Sequence, residues 1–227
     1  MSNKRTKNLI VTEEDTPKAK IILVGGVYKS GTSLLTASFE QGGAVNPAYR
    51  TSPIEFGHSA GGGLYQTREC GISRAINRKI VVSTKHERDK LRQSIKSYIS
   101  EMVTECGNLI VIKDPYFKFT IGEWIFAAND IGVTVELNLT NRPLINTFNG
   151  WQRSRFLSWQ LKKTPKLFNL MIQPLQKDAI KIVKMSNASV KINDYDLLVD
   201  MYGSEFEIIQ DIDRGSCTQL RSIKSII

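Results

Sequence analysis

Ile21-Ile22-Leu23-Val24-Gly25-Gly26-Val27-Tyr28-Lys29-Ser30-Gly31-Thr32-Ser33-Leu34-Leu35 is the stretch that decides the fold. Ile21 to Val24 is a short apolar run of the kind that a strand buried on both faces requires. Two glycines stop it. From Ser30 to Glu40, Leu34, Leu35 and Phe39 recur at helical spacing, and Gly42-Gly43 should end the helix. The order is strand, glycine-bearing loop, helix. Glycines let a backbone approach an anion closely, and a helix start offers N–H groups that the helix itself leaves unpaired. Lys29 adds a positive charge, while Ser30, Thr32 and Ser33 add hydroxyl donors.

The spacing separates two chemistries. A triphosphate-binding loop reads G-x-x-x-x-G-K-[ST]. Gly26 and Gly31 fit that frame, but Thr32 stands where its lysine belongs. The lysine has moved to position 29, before the second glycine. From there it can reach a bridging or leaving-group oxygen rather than lie along a triphosphate.

Outward from this loop, strands and helices alternate. Residues 43–66, rich in Gly, Ser and Pro, read as a long loop. Residues 88–106 place Leu91, Ile95, Tyr98, Ile99, Met102, Val103 and Cys106 on one helical face. Leu109–Ile112 reads as a second buried strand stopped by Asp114-Pro115, residues 119–129 as a helix, and Val133–Leu139 as a third strand. Residues 144–186 look mainly helical, with interruptions near Pro165 and Pro174. Ser189–Ile192 reads as a fourth strand and Tyr195–Met201 as a short helix; the last 25 residues are ambiguous. Alternation of this kind predicts an α/β fold with a central parallel sheet flanked by helices, and such sheets bind ligands beyond the carboxyl ends of their strands. The expected organisation is a flexible leader over 1–19 and one domain over 20–227.

Composition narrows the function. Hydrophobic residues at 41% and charged residues at 23% exclude wholesale disorder. No run of 18 apolar residues is present, so no membrane-spanning helix is expected, and residues 1–19 lack the apolar core of a signal peptide. Cys70, Cys106 and Cys217 form no metal-binding spacing, and their odd number suggests reduced thiols in a cytoplasmic protein. With only His58 and His86, no histidine-rich metal centre is expected. Of the net charge of +9, all the excess lies between Arg142 and Lys191, where ten basic residues face one acid, Asp178. Such a field favours an anionic ligand or partner, though a solvated helical surface reads the same way.

Tyr28-Lys29-Ser30-Gly31-Thr32-Ser33-Leu34-Leu35 resembles the P-K-S-G-T-[ST]-x-L loop of sulfotransferases, with Tyr28 in place of proline. Three later segments extend the resemblance over residues 20–200. Lys113-Asp114-Pro115 resembles the K-D-P element of bacterial-type members. Asn141-Arg142-Pro143 resembles their R-[ND]-P element, with the arginine one step along, and Asn149 stands where a serine is usual. Ile192-Asn193-Asp194-Tyr195-Asp196-Leu197-Leu198 is similar to their late strand and Y-[ED]-D-L stretch. No C-terminal glycine-rich clamp is recognisable beyond a faint echo at Arg214-Gly215.

The resemblance implies a P-loop-containing nucleoside triphosphate hydrolase-like fold and a sulfotransferase that uses 3′-phosphoadenosine 5′-phosphosulfate (PAPS), with no metal. Lys29, Ser30, Gly31, Thr32 and Ser33 would hold the phosphosulfate, and Arg142 with Asn149 the 3′-phosphate. Lys29 would also stabilise the leaving group. For the base, the resemblance offers His86, which with Lys85 follows Lys29 by 57 residues, and Glu69, in a Gly63–Glu69 segment similar to a G-[YF]-x-E region. Histidine suits proton transfer near neutrality, but the choice stays open. The acceptor would be a small molecule or saccharide hydroxyl or amine, an anionic one suiting the charge.

Two other readings compete. Leu109–Asp114 also resembles a magnesium-holding strand of P-loop kinases and nucleotide hydrolases. Phe148, Trp151, Phe156, Trp159 and Phe168, interleaved with Arg153, Arg155, Lys162, Lys163 and Lys166, would suit a non-catalytic polyanion or nucleic-acid binder. That pattern is better explained as the core face and wet face of one helical region.

Overall fold

The apolar run after residue 19 forms β1 (Lys20–Gly25), an inner strand of a four-stranded, all-parallel sheet. The computed structural model describes residues 18–27, 30–47, 64–66, 84–114, 117–143, 145–147, 149, 181, 186, 188–202, 206–212 and 217–222. In chain order, β1 is followed by α1 (Thr32–Gln41), β2 (Leu64–Gln66), α2 (Lys85–Cys106), β3 (Leu109–Lys113), α3 (Phe117–Asn129), β4 (Thr134–Asn141), β5 (Ser189–Asp194), α4 (Tyr195–Tyr202), β6 (Phe206–Ile212) and β7 (Cys217–Ser222). The parallel sheet has the order β3-β1-β4-β5. The expected α/β class with a parallel sheet is therefore present.

Both faces of β1 are covered, which is why it alternates nothing polar. Ile21 and Leu23 join Ile95, Tyr98, Ile99 and Met102 of α2 and Trp124 and Ile125 of α3 in the larger core. Trp124 is fully buried, with Phe117 (5.4 Å) and Tyr98 (6.0 Å) meeting its ring edge-on. Ile22 and Val24 point the other way, to Leu35 of α1 and Leu198 of α4. Arg88 ties α2 to α3 through Glu123 at 2.7 Å. The helix starting near Ser30 stops where expected: Ala44 N–H reaches the Phe39 carbonyl and Gly43 N–H that of Glu40, closing the last turn.

One expectation is corrected, and the region left ambiguous proves to be structured. Residues 43–66 are not one unpaired loop: Val45 bridges to Ile110 in parallel, and Leu64–Gln66 is a strand. One residue and three residues are too short to carry a readable period. The ambiguous C-terminal region supplies β6 and β7, which with β2 form an antiparallel sheet of order β2-β7-β6, distinct from the parallel one. The leader at 1–17, Tyr28-Lys29, Glu69 and most of 144–186 lie outside the described residues. Among the described residues no helix is long and apolar enough to cross a membrane.

On the α1-facing side of β4, Glu136, Asn138 and Thr140 are buried polar residues in succession. Glu136 accepts hydrogen bonds from Lys20 of β1, from Lys191 of β5 at 2.9 Å and from Asn138 at 3.0 Å. Burial pushes its carboxyl up, but those three donors outweigh burial and hold it at about 2, below the ordinary 4.5. A depressed folded-state value means that the stabilisation is complete above the ordinary value and is lost as pH falls through the folded one. Unfolding free energy should thus fall between about pH 4.5 and about pH 2, by about 2 kcal/mol after allowing for the water around both lysines. In Glu136→Gln that slope should flatten, and stability at pH 7 should drop. Denaturant titrations at several pH values would check this, and an unchanged slope would remove the ladder from the acid sensitivity.

Candidate functional site

The sheet order decides where a ligand would enter. From β1 the chain passes to β3 on one side, then crosses over to β4 on the other. The crevice beyond the carboxyl ends of β1 and β4 is therefore the topological switch point, the favoured ligand position in open α/β sheets. The described site residues at these two strand ends are Gly26 and Ser30–Ser33 after β1, and Thr140 and Arg142 at the end of β4.

Ser30 pins the loop. It is fully buried, and its Oγ lies 2.6 Å from both the Val27 carbonyl and Thr140 Oγ1. A hydroxyl has one proton, and the carbonyl can only accept, so Ser30 donates to Val27 and Thr140 donates to Ser30. In this conformation the Ser30 side chain fastens the loop to β4. Gly26 is required by that closeness: a Cβ there would stand 2.2 Å from Thr140 Oγ1 and 2.8 Å from Ser30 Oγ.

Gly31 is the N-cap of α1, with φ +95°, the left-handed region that glycine occupies without strain. A Cβ on it would meet Cδ2 of Tyr195 at 2.6 Å. Gly31 provides no side-chain cap, and the first turn of α1 carries no acidic residue. The N–H groups that open α1, from Thr32 onward, carry the helix's partial positive charge, with no side-chain cap from Gly31 and no carboxylate in the turn. Lys113, buried at the end of β3, donates from Nζ to Ser33 Oγ at 3.3 Å. Arg142, half-buried beyond β4, sets its guanidinium carbon 3.9 Å from the centroid of the Tyr195 ring. Asp194 accepts from Asp196 N–H at 2.9 Å and so caps α4, fixing where Tyr195 begins that helix.

Of the expected site residues, Ser30 to Ser33 and Arg142 are brought to this one edge. Asn149 is exposed, in helical backbone. His86 is exposed in the first turn of α2 and takes no part in the Ser30–Thr140 and Arg142–Tyr195 contacts. That helix starts with a capping box: Glu87 N–H donates to Thr84 Oγ1 at 3.4 Å and Thr84 N–H to Glu87 Oε2 at 2.8 Å. The Thr84 backbone and hydroxyl hold the Glu87 carboxyl below its ordinary value. Lys29 and Glu69 lie outside the described residues. Thr140 was not expected at the site, because a threonine at a strand end has no signal in one sequence. Lys113 and Tyr195 were legible only through the resemblance.

The edge as a whole can bind an oxyanion: it combines an open helix start with Lys113 and Arg142, and Lys29 lies between Gly26 and Gly31 in sequence. Asp114, fully buried, directly follows Lys113 just beyond β3. Among the described residues no group of three His, Cys, Asp or Glu is gathered as for a metal ion. No protein-family model matches the chain, nor does any curated protein sequence.

Proposed function

We propose that the protein is a PAPS-dependent sulfotransferase that moves a sulfuryl group to a hydroxyl or amine of its acceptor. One observation carries this reading: the uncapped, acid-free start of α1 lies at the switch point of the sheet, with Arg142 at the neighbouring strand end. Two cationic anchor points at one edge suit a nucleotide that carries anions on both sides of its ribose.

The donor supplies the sulfuryl group and a phosphate leaving group. N–H groups of Thr32 and Ser33 would hold the phosphosulfate oxygens, with Lys113 keeping Ser33 in place. Lys29 would offset charge on the bridging oxygen as the sulfur–oxygen bond to the phosphate breaks. As the acceptor's oxygen or nitrogen bonds to sulfur, its proton would pass to a base, for which His86 and Glu69 remain candidates. Arg142 would hold the 3′-phosphate. The sequence-level departure at Asn141-Arg142 is compatible with that role: Asn141 ends β4, and Arg142 is the first residue beyond it.

The second reading, a P-loop kinase or nucleotide hydrolase, is favoured by Asp114, which is buried at a strand end where such enzymes hold magnesium. Calorimetric titration with 3′-phosphoadenosine 5′-phosphate, beside magnesium-ATP, separates the two. Saturable binding of the bisphosphate, tighter than magnesium-ATP, is expected. Preference for magnesium-ATP would replace the proposal with the second reading. Binding of neither would leave a polyanion binder.

A further inference from the structure

Tyr195 touches both halves of the proposed donor site. Its ring carries the Arg142 guanidinium at 3.9 Å. Its edge also fills the space that a Cβ on Gly31 would need, 2.6 Å from Cδ2. One aromatic ring thus touches both the residue beyond β4 and the α1 start, and the Arg142 guanidinium lies within about 9 Å of the Gly31 Cα, given ordinary bond lengths. Asp194, capping α4, fixes the backbone from which the ring projects.

We infer that Tyr195 is a positioning residue for 3′-phosphate recognition: it holds Arg142 at a set distance from the α1 start, so that the site selects nucleotides with anions on both sides of the ribose. The inference rests on the sulfotransferase reading and names what makes that site specific. It gives Tyr195 no contact with the ligand. It acts through Arg142, and its π-face matters more than its hydroxyl.

The test compares binding of 3′-phosphoadenosine 5′-phosphate with that of 5′-AMP, which lacks the 3′-phosphate, in the full chain. Wild type should prefer the bisphosphate. Tyr195→Phe should keep that preference within about two-fold, since the ring is retained. Tyr195→Leu fills space without a π-face and should weaken the bisphosphate about ten-fold while leaving 5′-AMP unchanged. Adding Tyr195→Leu to Arg142→Ala should cost nothing further, as expected of a residue that acts through the arginine. Equal losses for both nucleotides, or additive losses in the double variant, would overturn the inference. So would a Tyr195→Leu protein that keeps the wild-type preference. In all three cases the sulfotransferase reading would stand, because wild type still prefers the bisphosphate. A wild type without that preference would overturn both. Tyr195→Phe guards against misreading a folding defect, and thermal unfolding of each variant checks it directly.

Discussion

Replacing Lys29 with alanine is expected to lower the turnover of sulfuryl transfer by about 10²–10³-fold, a barrier increase of about 2.7–4 kcal/mol. The sulfur–oxygen bond that breaks leaves negative charge on a phosphate oxygen. A cation at that oxygen interacts more strongly with the transition state than with the bound donor, so its loss should appear in kcat more than in KM. Lys113 is the natural rival, but it is buried and donates to Ser33 within the α1 start. Lys29→Arg should restore part of the rate by restoring the charge. Release of 3′-phosphoadenosine 5′-phosphate from PAPS, with water or a screened alcohol as acceptor, gives the readout. A Lys29→Ala protein with wild-type kcat would show that another group stabilises the departing phosphate.

Gly26→Ala is expected to destabilise the fold by about 3 kcal/mol, the upper end for overpacking, and to abolish tight nucleotide binding. The added methyl would stand 2.2 Å from Thr140 Oγ1 and 2.8 Å from Ser30 Oγ, in the contact that fastens the loop to β4. Neither atom is the far end of a flexible chain, so the strand and the loop must part. Thr140→Ala removes the closer atom, at the cost of one buried hydrogen bond of about 1 kcal/mol. The double variant should therefore be more stable than the two single effects combined predict, by about 1 kcal/mol or more. Denaturant unfolding of the four proteins measures this. Simple additivity would mean that Gly26 is not held by Thr140.

How much of this was legible follows from what each signal needs. Ile21–Val24 and Leu109–Ile112 read as strands because both of their faces are buried, so apolar residues run without interruption. The Gly42-Gly43 stop of α1 was legible because its chemistry is local. The residues of the α1 start were legible for the same reason, since strand, loop and helix are contiguous in sequence. Thr140 and Tyr195 come to the loop from more than a hundred residues away, and sheet pairing alone brings them there. Their role depends on the order β3-β1-β4-β5, and periodicity carries no information about strand order. The β2-β7-β6 sheet escaped because β2 has only three residues. Glu136 would pass for a surface carboxylate in sequence, and its burial follows from the lysines that β1 and β5 bring beside it.

Whether the α1 start receives the 5′-phosphate end of the donor nucleotide is read by following backbone amide resonances while 3′-phosphoadenosine 5′-phosphate is added. The largest, saturable shifts are expected at Gly31, Thr32 and Ser33, with a second group at Thr140–Arg142. Shifts confined to the basic stretch between Arg142 and Lys191, weakening with salt and sparing Gly31–Ser33, would contradict it.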